Sequence, residues 1–352
     1  MPNTVRPYNQ QLSNPRFDDP KKVVGWLGAV QAQNYSMAKW AIGIRLKAGH
    51  LQTVEQALQK GEILRIHVMR PTWHFVTAED IRWMLALSAK RIKAANIGLA
   101  EDKKMGITQT HYNQCNRLLE KILEGHKSLT KEEIRQELEQ SRFPVDNYGM
   151  TRFLMHAETE GLVCSGEDKN QKPTYALLEE RVPPIPPLSQ EESLAKLAQN
   201  YFRSHSPASL QDFVWWSGLS ATEARQAISS IRSELVSDRF SPQELFVHES
   251  CPGTISPDET LHLLPSYDEY LLGYKDRSHV IRPEHYAKAY NAWGIFYPVI
   301  LYQGKIVGNW QKTGKGKGIK IKTSFFDKSI NPSAEWVQKA IEQYKSFCLE
   351  SI

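Results

Sequence analysis

The segment VPPIPPLS, residues 182–189, constrains the fold more than any other part of the chain. Four of the five positions 183–187 are proline, and proline lacks the N–H group that helix interiors and central strands require. Such a run adopts an extended polyproline conformation and acts as a stiff spacer. We therefore predict a linker over residues 183–189. A chain of 352 residues is also long enough for several domains.

The N-terminal part, residues 1–100, has the order of elements of a winged helix. The stretch DDPKKVVGWLGAVQAQ predicts a helix, because Asp19 can cap it and Pro20 suits its first turn. Two further helical stretches, SMAKWAIGIRL and TVEQALQKG, follow. The apolar period then changes to that of strands at Ile63–Val68 and Trp73–Val76. Helices followed by a hairpin predict a first winged helix, which would carry the QAQ segment discussed below.

The next part, residues 101–182, repeats this order. SLTKEEIRQELEQ opens with a capping box from Thr130 to Glu133, which marks the start of a helix. DNYGMTRFLMHAETEGLV has the apolar period of a second helix, and the chain from GLVCSGEDK to PTYALLEE alternates like a hairpin. We predict a second winged helix here.

A third helix-turn-helix is predicted at residues 190–243. The helix of ASLQDFVWWSG ends at Gly218, and the next one begins with a capping box from Ser220 to Glu223. The three predicted copies share the order and length of their elements but not their residues.

Residues 244–352 are rich in strand patterns. ELFVHES, TLHLLPSYDEYLLGY, YPVILYQGKIVGNWQKTG and GIKIKTSF alternate or run apolar, with Gly304 at a turn. SAEWVQKAIEQYKSFCLE closes the chain as a helix. The predicted fold is α+β: tandem winged-helix domains, a C-terminal antiparallel β-barrel-like region and a terminal helix.

Composition narrows the class of protein. No run of apolar residues is long enough to span a bilayer, and the polar N-terminus does not look like a secretory signal. We therefore expect a cytoplasmic protein without a membrane partner. The four cysteines, Cys115, Cys164, Cys251 and Cys348, are far apart, so no zinc knuckle is predicted. We predict no metal and no other cofactor.

Basic residues supply candidate DNA contacts, although a net charge of +5 permits nucleic-acid binding without requiring it. QKTGKGKGIKIK interleaves lysine with glycine, which suits contacts with phosphates, and it lacks the ending of a nucleotide-binding P-loop. A solvated basic hairpin explains the same pattern equally well. The candidates for DNA contact are Arg70 and His74 in RPTWHF, Lys275 and Arg277 in YKDR, and Lys315 and Lys317 in the glycine-rich stretch.

PSYDEYLLGYKDR places aromatic residues between charges, and such aromatics pack in a core more often than they stack on bases. Asp268 and Glu269 are adjacent, so on a strand they would point to opposite faces. One of them could serve as a lone base or as the partner of Arg277. Motifs alone do not decide whether the chain is an enzyme, since no common catalytic signature occurs.

Several stretches together resemble the winged-helix DNA glycosylases of the YcaQ/AlkZ type. They are VVGWLGAVQAQ with AIGIRL, RIHVMRPTWHFVTAEDI, HLLPSYDEYLLGYKDRS and GKIVGNWQ, and they span most of the chain. The resemblance implies tandem winged helices around a C-terminal β-barrel. It also implies base excision repair of double-stranded DNA by release of alkylated purines, including bulky N7-guanine adducts and interstrand crosslinks, and a monomeric enzyme.

The family carries a short catalytic motif, Gln–apolar–Gln in the AlkZ branch and Gln–apolar–Asp in the YcaQ branch. It falls here on Gln31, Ala32 and Gln33, so the chain resembles the AlkZ branch and the resemblance implies that both glutamines are catalytic. Arg65, Trp73, Asp268 and Tyr270 are candidates for supporting the site.

Glutamine suits this chemistry when the leaving base is already cationic. Alkylation at N7 makes guanine a good leaving group, so the enzyme needs to position a water more than to supply an acid. Amide oxygens can accept hydrogen bonds from that water. Residues two apart share a face only in an extended segment. Gln31 and Gln33 are therefore expected at or beyond a helix end, beside an open cleft.

Two other functions fit the same patterns. A winged-helix DNA-binding regulator without catalysis would use the same basic residues, with QAQ as filler at the end of a helix. A protein-interaction scaffold would instead show a large apolar surface and no positive cleft.

Overall fold

The computed structural model describes residues 2–96, 98, 100–238, 244–252, 260–314 and 316–349. The chain divides into two compact units. Unit 1 combines Met1–Glu55 with Leu194–Ile352, and unit 2 is Gln56–Ser193.

Helices and strands are mixed along the whole chain, which confirms the predicted α+β class. The α-helices of the described residues are α1 (Pro2–Asn9), α2 (Pro20–Leu27), α3 (Tyr35–Gly43), α4 (Leu51–Gln59), α5 (Ile81–Asn96), α6 (Ala100–Lys104), α7 (Gln109–Leu123), α8 (Lys131–Gln140), α9 (Asn147–Thr159), α10 (Leu178–Arg181), α11 (Gln190–His205), α12 (Leu210–Ser217), α13 (Ala221–Ser230), α14 (Glu269–Leu272), α15 (Tyr286–Ala289) and α16 (Ala334–Cys348).

The strands are short, and most of them pair antiparallel with a neighbour. They are β1 (Val30–Gln31), β2 (Ile63–Val68), β3 (Thr72–Thr77), β4 (Leu129–Thr130), β5 (Val163–Ser165), β6 (Thr174–Leu177), β7 (Ala208–Ser209), β8 (Leu235–Asp238), β9 (Leu245–His248), β10 (Leu261–Leu264), β11 (Val299–Tyr302), β12 (Lys305–Thr313) and β13 (Lys320–Phe325).

Local signals place many of these elements. Asp19 caps α2 by accepting a hydrogen bond from the Lys21 N–H, and the capping boxes that begin at Thr130 and Ser220 open α8 and α13. Residues 183–189 form neither helix nor strand, as the prolines predict. Gly218 ends α12 at a φ of 71°, in the left-handed region that glycine adopts without strain.

Unit 2 contains the first predicted hairpin and the whole second predicted domain. β2 and β3 pair antiparallel from Ile63 opposite Thr77 to Val68 opposite Thr72. The sheet β4–β6–β5 lies beside α7, α8 and α9. Their apolar faces form a core that includes Leu119, Ile134, Met150 and Phe153, all of them buried.

Unit 1 contains two further sheets, β7–β9–β8 and β10–β11–β12–β13. The closing helix α16 packs on the second sheet through aromatic rings. Tyr344 lies 5.0 Å from Trp40 and 4.9 Å from Trp310, measured between ring centroids. The two indole N–H groups donate to the carbonyl oxygens of Leu263 and Leu264 in β10. Each buried tryptophan therefore gains a polar partner as well as apolar contact.

The structure corrects two predictions for residues 244–352. The described strands of the last sheet pair in an open row, and no closed barrel forms among them. PSYDEYLLGY is not a strand: β10 ends at Leu264, and Asp268 caps the short helix α14 by accepting from the Tyr270 N–H. A carboxylate that caps a helix satisfies one of its free N–H groups, which favours the turn over extended chain here. The five-part domain division and the winged-helix assignments stay predictions.

No helix in the part of the chain that the structure describes is both long and apolar enough to cross a membrane.

Candidate active site

The QAQ segment lies between two helices of unit 1. α2 ends at Leu27, and Gly28 then turns the chain at a φ of 83°. Gln31 is the second residue of β1, and Gln33 lies in a bend before α3 begins at Tyr35. Neither glutamine is inside a helix, as the spacing argument requires. Gln31 is buried, with 5% of its surface exposed, whereas Gln33 is exposed.

A buried carboxylate holds the backbone of this segment. Oε1 of Glu269 accepts a hydrogen bond from the Gln31 N–H at 3.0 Å, although the two residues are 238 positions apart. Oε2 accepts from the Trp216 indole N–H at 3.0 Å. Nε2 of His205 lies 3.7 Å from the same oxygen. Glu269 is 1% exposed, so these contacts are made away from water and are correspondingly strong.

His205 is the titratable group next to this carboxylate. It is fully buried and stacks on Tyr201, with ring centroids 4.6 Å apart. Burial lowers the pKa of His205 below its ordinary value of 6.5, and the Glu269 carboxylate acts in the opposite direction. Desolvation therefore favours the neutral imidazole.

A buried ion pair fixes the start of α14. The Arg45 guanidinium donates to both oxygens of Asp268 at 2.8 Å, and both side chains are fully buried. Arg45 also donates to the carbonyl oxygens of Ala41 and Gln10. Since α14 begins with Glu269, the ion pair fixes the backbone from which this carboxylate reaches Gln31. The bidentate geometry makes the attachment directional as well as strong.

The backbone N–H of Gln31 has a hydrogen-bond partner, whereas its side-chain oxygen has none among the described residues. This oxygen, Oε1, is buried. An amide oxygen has two lone pairs, and leaving it unpaired away from water costs free energy. Such an oxygen is available to accept a hydrogen bond from a water or from a substrate group.

The other predicted residues of unit 1 have different environments. Tyr270 is fully buried and donates to the Gly304 carbonyl oxygen at 3.0 Å, and burial raises the pKa of its hydroxyl. Lys275 is exposed. Arg277 is 8% exposed and donates from Nε to the Leu271 carbonyl oxygen. Of the two acidic residues considered as a partner for Arg277, Asp268 is excluded, because Arg45 donates to both of its carboxylate oxygens.

Four predicted residues belong to the hairpin of unit 2. The Arg65 guanidinium lies 4.1 Å from the centroid of the Trp73 ring, which is within cation–π range. His74 is buried, and its Nδ1–H donates to the Thr72 carbonyl oxygen at 2.9 Å. Arg70 is half-buried beside the turn. Their proposed contacts with DNA or with the site stay predictions.

The glycine-rich stretch forms the hairpin between β12 and β13. Thr313 pairs with Lys320 and Lys312 with Ile321, and the side chains of Lys312, Lys320 and Lys322 are exposed. Of the two candidates at its tip, Lys315 lies outside the described residues, and only the backbone of Lys317 is described, in a single 3₁₀ turn.

Sequence reasoning missed Trp216 and His205 as parts of the site, and it considered Glu269 only as a lone base or as a partner of Arg277. The only local signal was the acidic pair in YDEY, where Asp268 was selected and its neighbour was not. Nothing in the sequence connects residue 31 with residue 269, because the contact depends on how distant elements pack.

Taken together, these contacts present two amides on a non-helical segment whose backbone is held by a buried carboxylate. Such a site can hold and orient a water or a polar substrate group. Among the described residues, no group of three or more His, Cys, Asp and Glu side chains could hold a metal ion.

Comparisons with known proteins converge. A family model described as DNA glycosylase AlkZ-like matches residues 24–347. The interstrand DNA cross-link repair glycosylase of Streptomyces sahachiroi is 24% identical in an alignment 326 residues long, and the match covers 86% of this chain and 85% of that protein. The solved structure of Streptomyces sahachiroi DNA glycosylase AlkZ superposes with a TM-score of 0.80 at 21% identity and covers 99% of this chain and 96% of that chain. At this identity the structural likeness shows a shared fold.

Proposed function

The chain belongs to the AlkZ-like family of DNA glycosylases, and from that premise we propose that it excises cationic N7-alkylated purines from double-stranded DNA. The substrates we propose include bulky adducts and interstrand crosslinks, since the similar protein of Streptomyces sahachiroi is named for crosslink repair. The bond broken is the N-glycosidic bond, and water is the nucleophile. The enzyme acts as a monomer.

The observation that carries this proposal is the environment of Gln31. Its buried Oε1 has no partner among the described residues, and its N–H is fixed by Glu269. A rigid backbone with an available amide oxygen is what is required to hold a water in one orientation. Gln33, exposed two residues later, supplies a second amide on the substrate side. Both glutamines act by positioning, because neither can take a proton at neutral pH.

Position 33 carries the amide of Gln33 and not the carboxylate of a Gln–apolar–Asp motif, and this difference supports a particular class of substrate. A neutral base leaves with negative charge unless the enzyme protonates one of its ring atoms or hydrogen-bonds to it, and general acid catalysis contributes about 10²- to 10⁴-fold. An N7-alkylated guanine already carries its positive charge, so its departure needs no acid. The proposed site therefore releases cationic lesions and not uracil. Efficient release of uracil by the purified protein would contradict this assignment.

The test uses DNA that contains N7-methylguanine, and in parallel DNA crosslinked by a nitrogen mustard. Abasic sites are measured after incubation with the full chain. Native protein is expected to form them, and Gln31→Ala and Gln33→Ala are expected to lose most of the activity. Gln226→Ala is the matched control, because Gln226 is an exposed glutamine on α13 of the same unit.

The outcomes separate the alternatives. DNA binding without excision of either lesion would favour a non-catalytic DNA-binding protein. Excision by the native protein and by both glutamine variants would support the glycosylase activity but exclude a catalytic role for Gln31 and Gln33. Phosphate contacts are strongest at low salt. If the chain did not bind DNA at low salt, a protein-interaction scaffold would be the remaining alternative.

A further inference from the structure

A small surface of unit 1 concentrates exposed apolar side chains. Among the described residues, eight large hydrophobic side chains are markedly exposed, and four of them are Trp215, Trp293, Ile295 and Tyr297. Trp293 is the extreme case, with 89% of its surface exposed. Single exposed hydrophobic residues are ordinary, but a local concentration of them marks a contact surface.

The turn that carries Trp293 is firmly held. Oδ1 of Asn291 accepts hydrogen bonds from the N–H groups of Trp293 and Ile295, each at 3.0 Å. The Asn291 N–H donates to the Ile295 carbonyl oxygen at 3.0 Å. Gly294 has a φ of 75°, which few other residues tolerate. The backbone of Trp293 is therefore held at the tip of a defined turn before any partner arrives, and its indole projects from there.

Arg277 supports the base of this turn. Its guanidinium carbon lies 4.8 Å from the centroid of the Tyr290 ring and 5.1 Å from that of Phe296, and these two residues bridge the ends of the turn. It also lies 5.3 Å from the Trp215 ring. A mostly buried arginine among three aromatic rings holds the turn by cation–π contacts.

The same arginine connects the turn to the QAQ segment. Nε of Arg277 donates to the Leu271 carbonyl oxygen in α14 at 2.8 Å. α14 begins with Glu269, whose carboxylate accepts from the Gln31 N–H. The exposed indole and the candidate catalytic segment are therefore anchored on one short helix of one unit.

We propose that the Trp293 turn is a base-contacting wedge, in which the indole stacks on an unstacked nucleobase of the DNA substrate. Each nucleobase offers a flat π face that a tryptophan can cover. Apolar residues that enter a duplex relieve their own exposure to water, and they compensate for the base stacking that they disrupt. Residues 275–293, which lead into this turn, contain four Lys or Arg residues against two acidic ones, Asp276 and Glu284, and this excess of positive charge favours DNA over an apolar protein partner. The inference rests on DNA being the substrate and not on which lesion is excised.

The test measures the binding of the full chain to two short duplexes by fluorescence anisotropy over a range of salt concentrations. One duplex is intact, and the other contains a stable abasic-site analogue, which leaves the opposite base without its pairing partner. Trp293→Ala is expected to weaken binding to the second duplex about tenfold. Trp293→Phe keeps an aromatic face and is expected to recover most of that loss. The matched control is Val236→Ala, an exposed apolar residue elsewhere in unit 1.

Salt dependence distinguishes stacking from phosphate contact. Loss of a stacking contact shifts the dissociation constant by the same factor at every salt concentration, whereas loss of a phosphate contact changes the slope of log K against log salt. A uniform shift for Trp293→Ala supports the wedge. A changed slope overturns the proposal.

Unchanged DNA affinity also overturns it, and loss of self-association in the same variant would then assign the surface to a second copy of the chain. These measurements do not involve excision. Failure of the wedge is therefore distinguishable from failure of the proposed glycosylase chemistry.

Discussion

Replacing Glu269 by glutamine tests whether the buried carboxylate positions Gln31. The carboxylate accepts from two fixed donors, the Gln31 N–H and the Trp216 indole N–H, each at 3.0 Å. A glutamine at position 269 has the same shape, but only one of its two terminal atoms is an acceptor. Its amide NH₂ must therefore face one of these two donors.

The expected loss follows from that mismatch. Leaving a buried N–H without an acceptor costs about 1–3 kcal/mol. If that cost falls on the position of Gln31 in the transition state, kcat decreases roughly 5- to 150-fold, at about 1.4 kcal/mol per factor of ten. Affinity for undamaged DNA is expected to stay the same, because Glu269 is buried and contacts no substrate.

A second substitution supplies the rescue. Trp216→Phe removes the indole donor and leaves the Gln31 N–H in place. In the double variant Glu269→Gln, Trp216→Phe, the glutamine NH₂ no longer faces the indole N–H, so the side-chain oxygen can turn to accept from Gln31. We expect the double variant to be faster than Glu269→Gln alone, and Trp216→Phe alone to keep a kcat close to that of the native protein.

The assay is single-turnover release of N7-methylguanine from duplex DNA, together with DNA affinity and thermal stability for each variant. Equal kcat for Glu269→Gln and the native protein would refute the positioning argument, provided that Gln31→Ala is inactive in the same assay. A double variant slower than both single variants would also refute it, since the loss would then be one of packing.

Three further predictions concern charge. Arg45→Met leaves the buried Asp268 carboxylate unpaired, so we expect the free energy of unfolding in urea to decrease by about 3–5 kcal/mol. The double variant Arg45→Met, Asp268→Asn should recover part of that loss. A loss below about 1 kcal/mol would show that the ion pair does not stabilise the fold. Burial lowers the pKa of His205 below 6.5 in the folded protein, so the unfolded state binds more protons below that pH. The free energy of unfolding should therefore decrease as the pH falls below about 6.5, and less steeply in His205→Gln. Equal slopes for the two proteins would exclude His205 as the cause. Lys275→Ala should reduce the slope of log K against log salt by about 0.9 if Lys275 contacts a phosphate, and an unchanged slope would remove it from the interface.

The helices and hairpins could be predicted where their signals are local. Asp19, Thr130 and Ser220 each cap a helix through atoms within three residues, so the sequence contains the whole interaction. β2 has its predicted bounds, Ile63–Val68, because its apolar pattern is continuous and a proline follows. These signals needed no knowledge of the rest of the chain.

α14 shows where local reasoning failed. PSYDEYLLGY has apolar and aromatic residues that suit a buried strand, yet its Asp268 is a helix cap. Asp268 also pairs with Arg45, 223 residues away, and nothing in the residue types near Asp268 indicates that partner. Arg277 failed in a related way, because a cation in a charged stretch was expected at a phosphate and instead lies among aromatic rings. The residue types alone indicate neither which side chains are buried nor which distant residues they contact.

The candidate site could be located in the chain but not assembled. A Gln–apolar–Gln motif predicts chemistry only through its family, since two amides alone are common. The contacts that hold Gln31 come from Glu269, Trp216 and Arg45, which lie in different parts of the chain. Their roles depend on tertiary packing, which a single sequence does not reveal.

The position of Glu269 also bears on the proposed use of glutamine at position 33. In the proposed reaction the sugar becomes positively charged as the cationic base leaves, and a buried carboxylate already lies directly behind the backbone of Gln31. Arg45 neutralises the neighbouring Asp268, and the Glu269 carboxylate accepts from the Gln31 N–H and the Trp216 indole N–H. Because Glu269 is buried, its negative charge acts through a medium of low polarity and would favour the positive charge of the proposed transition state.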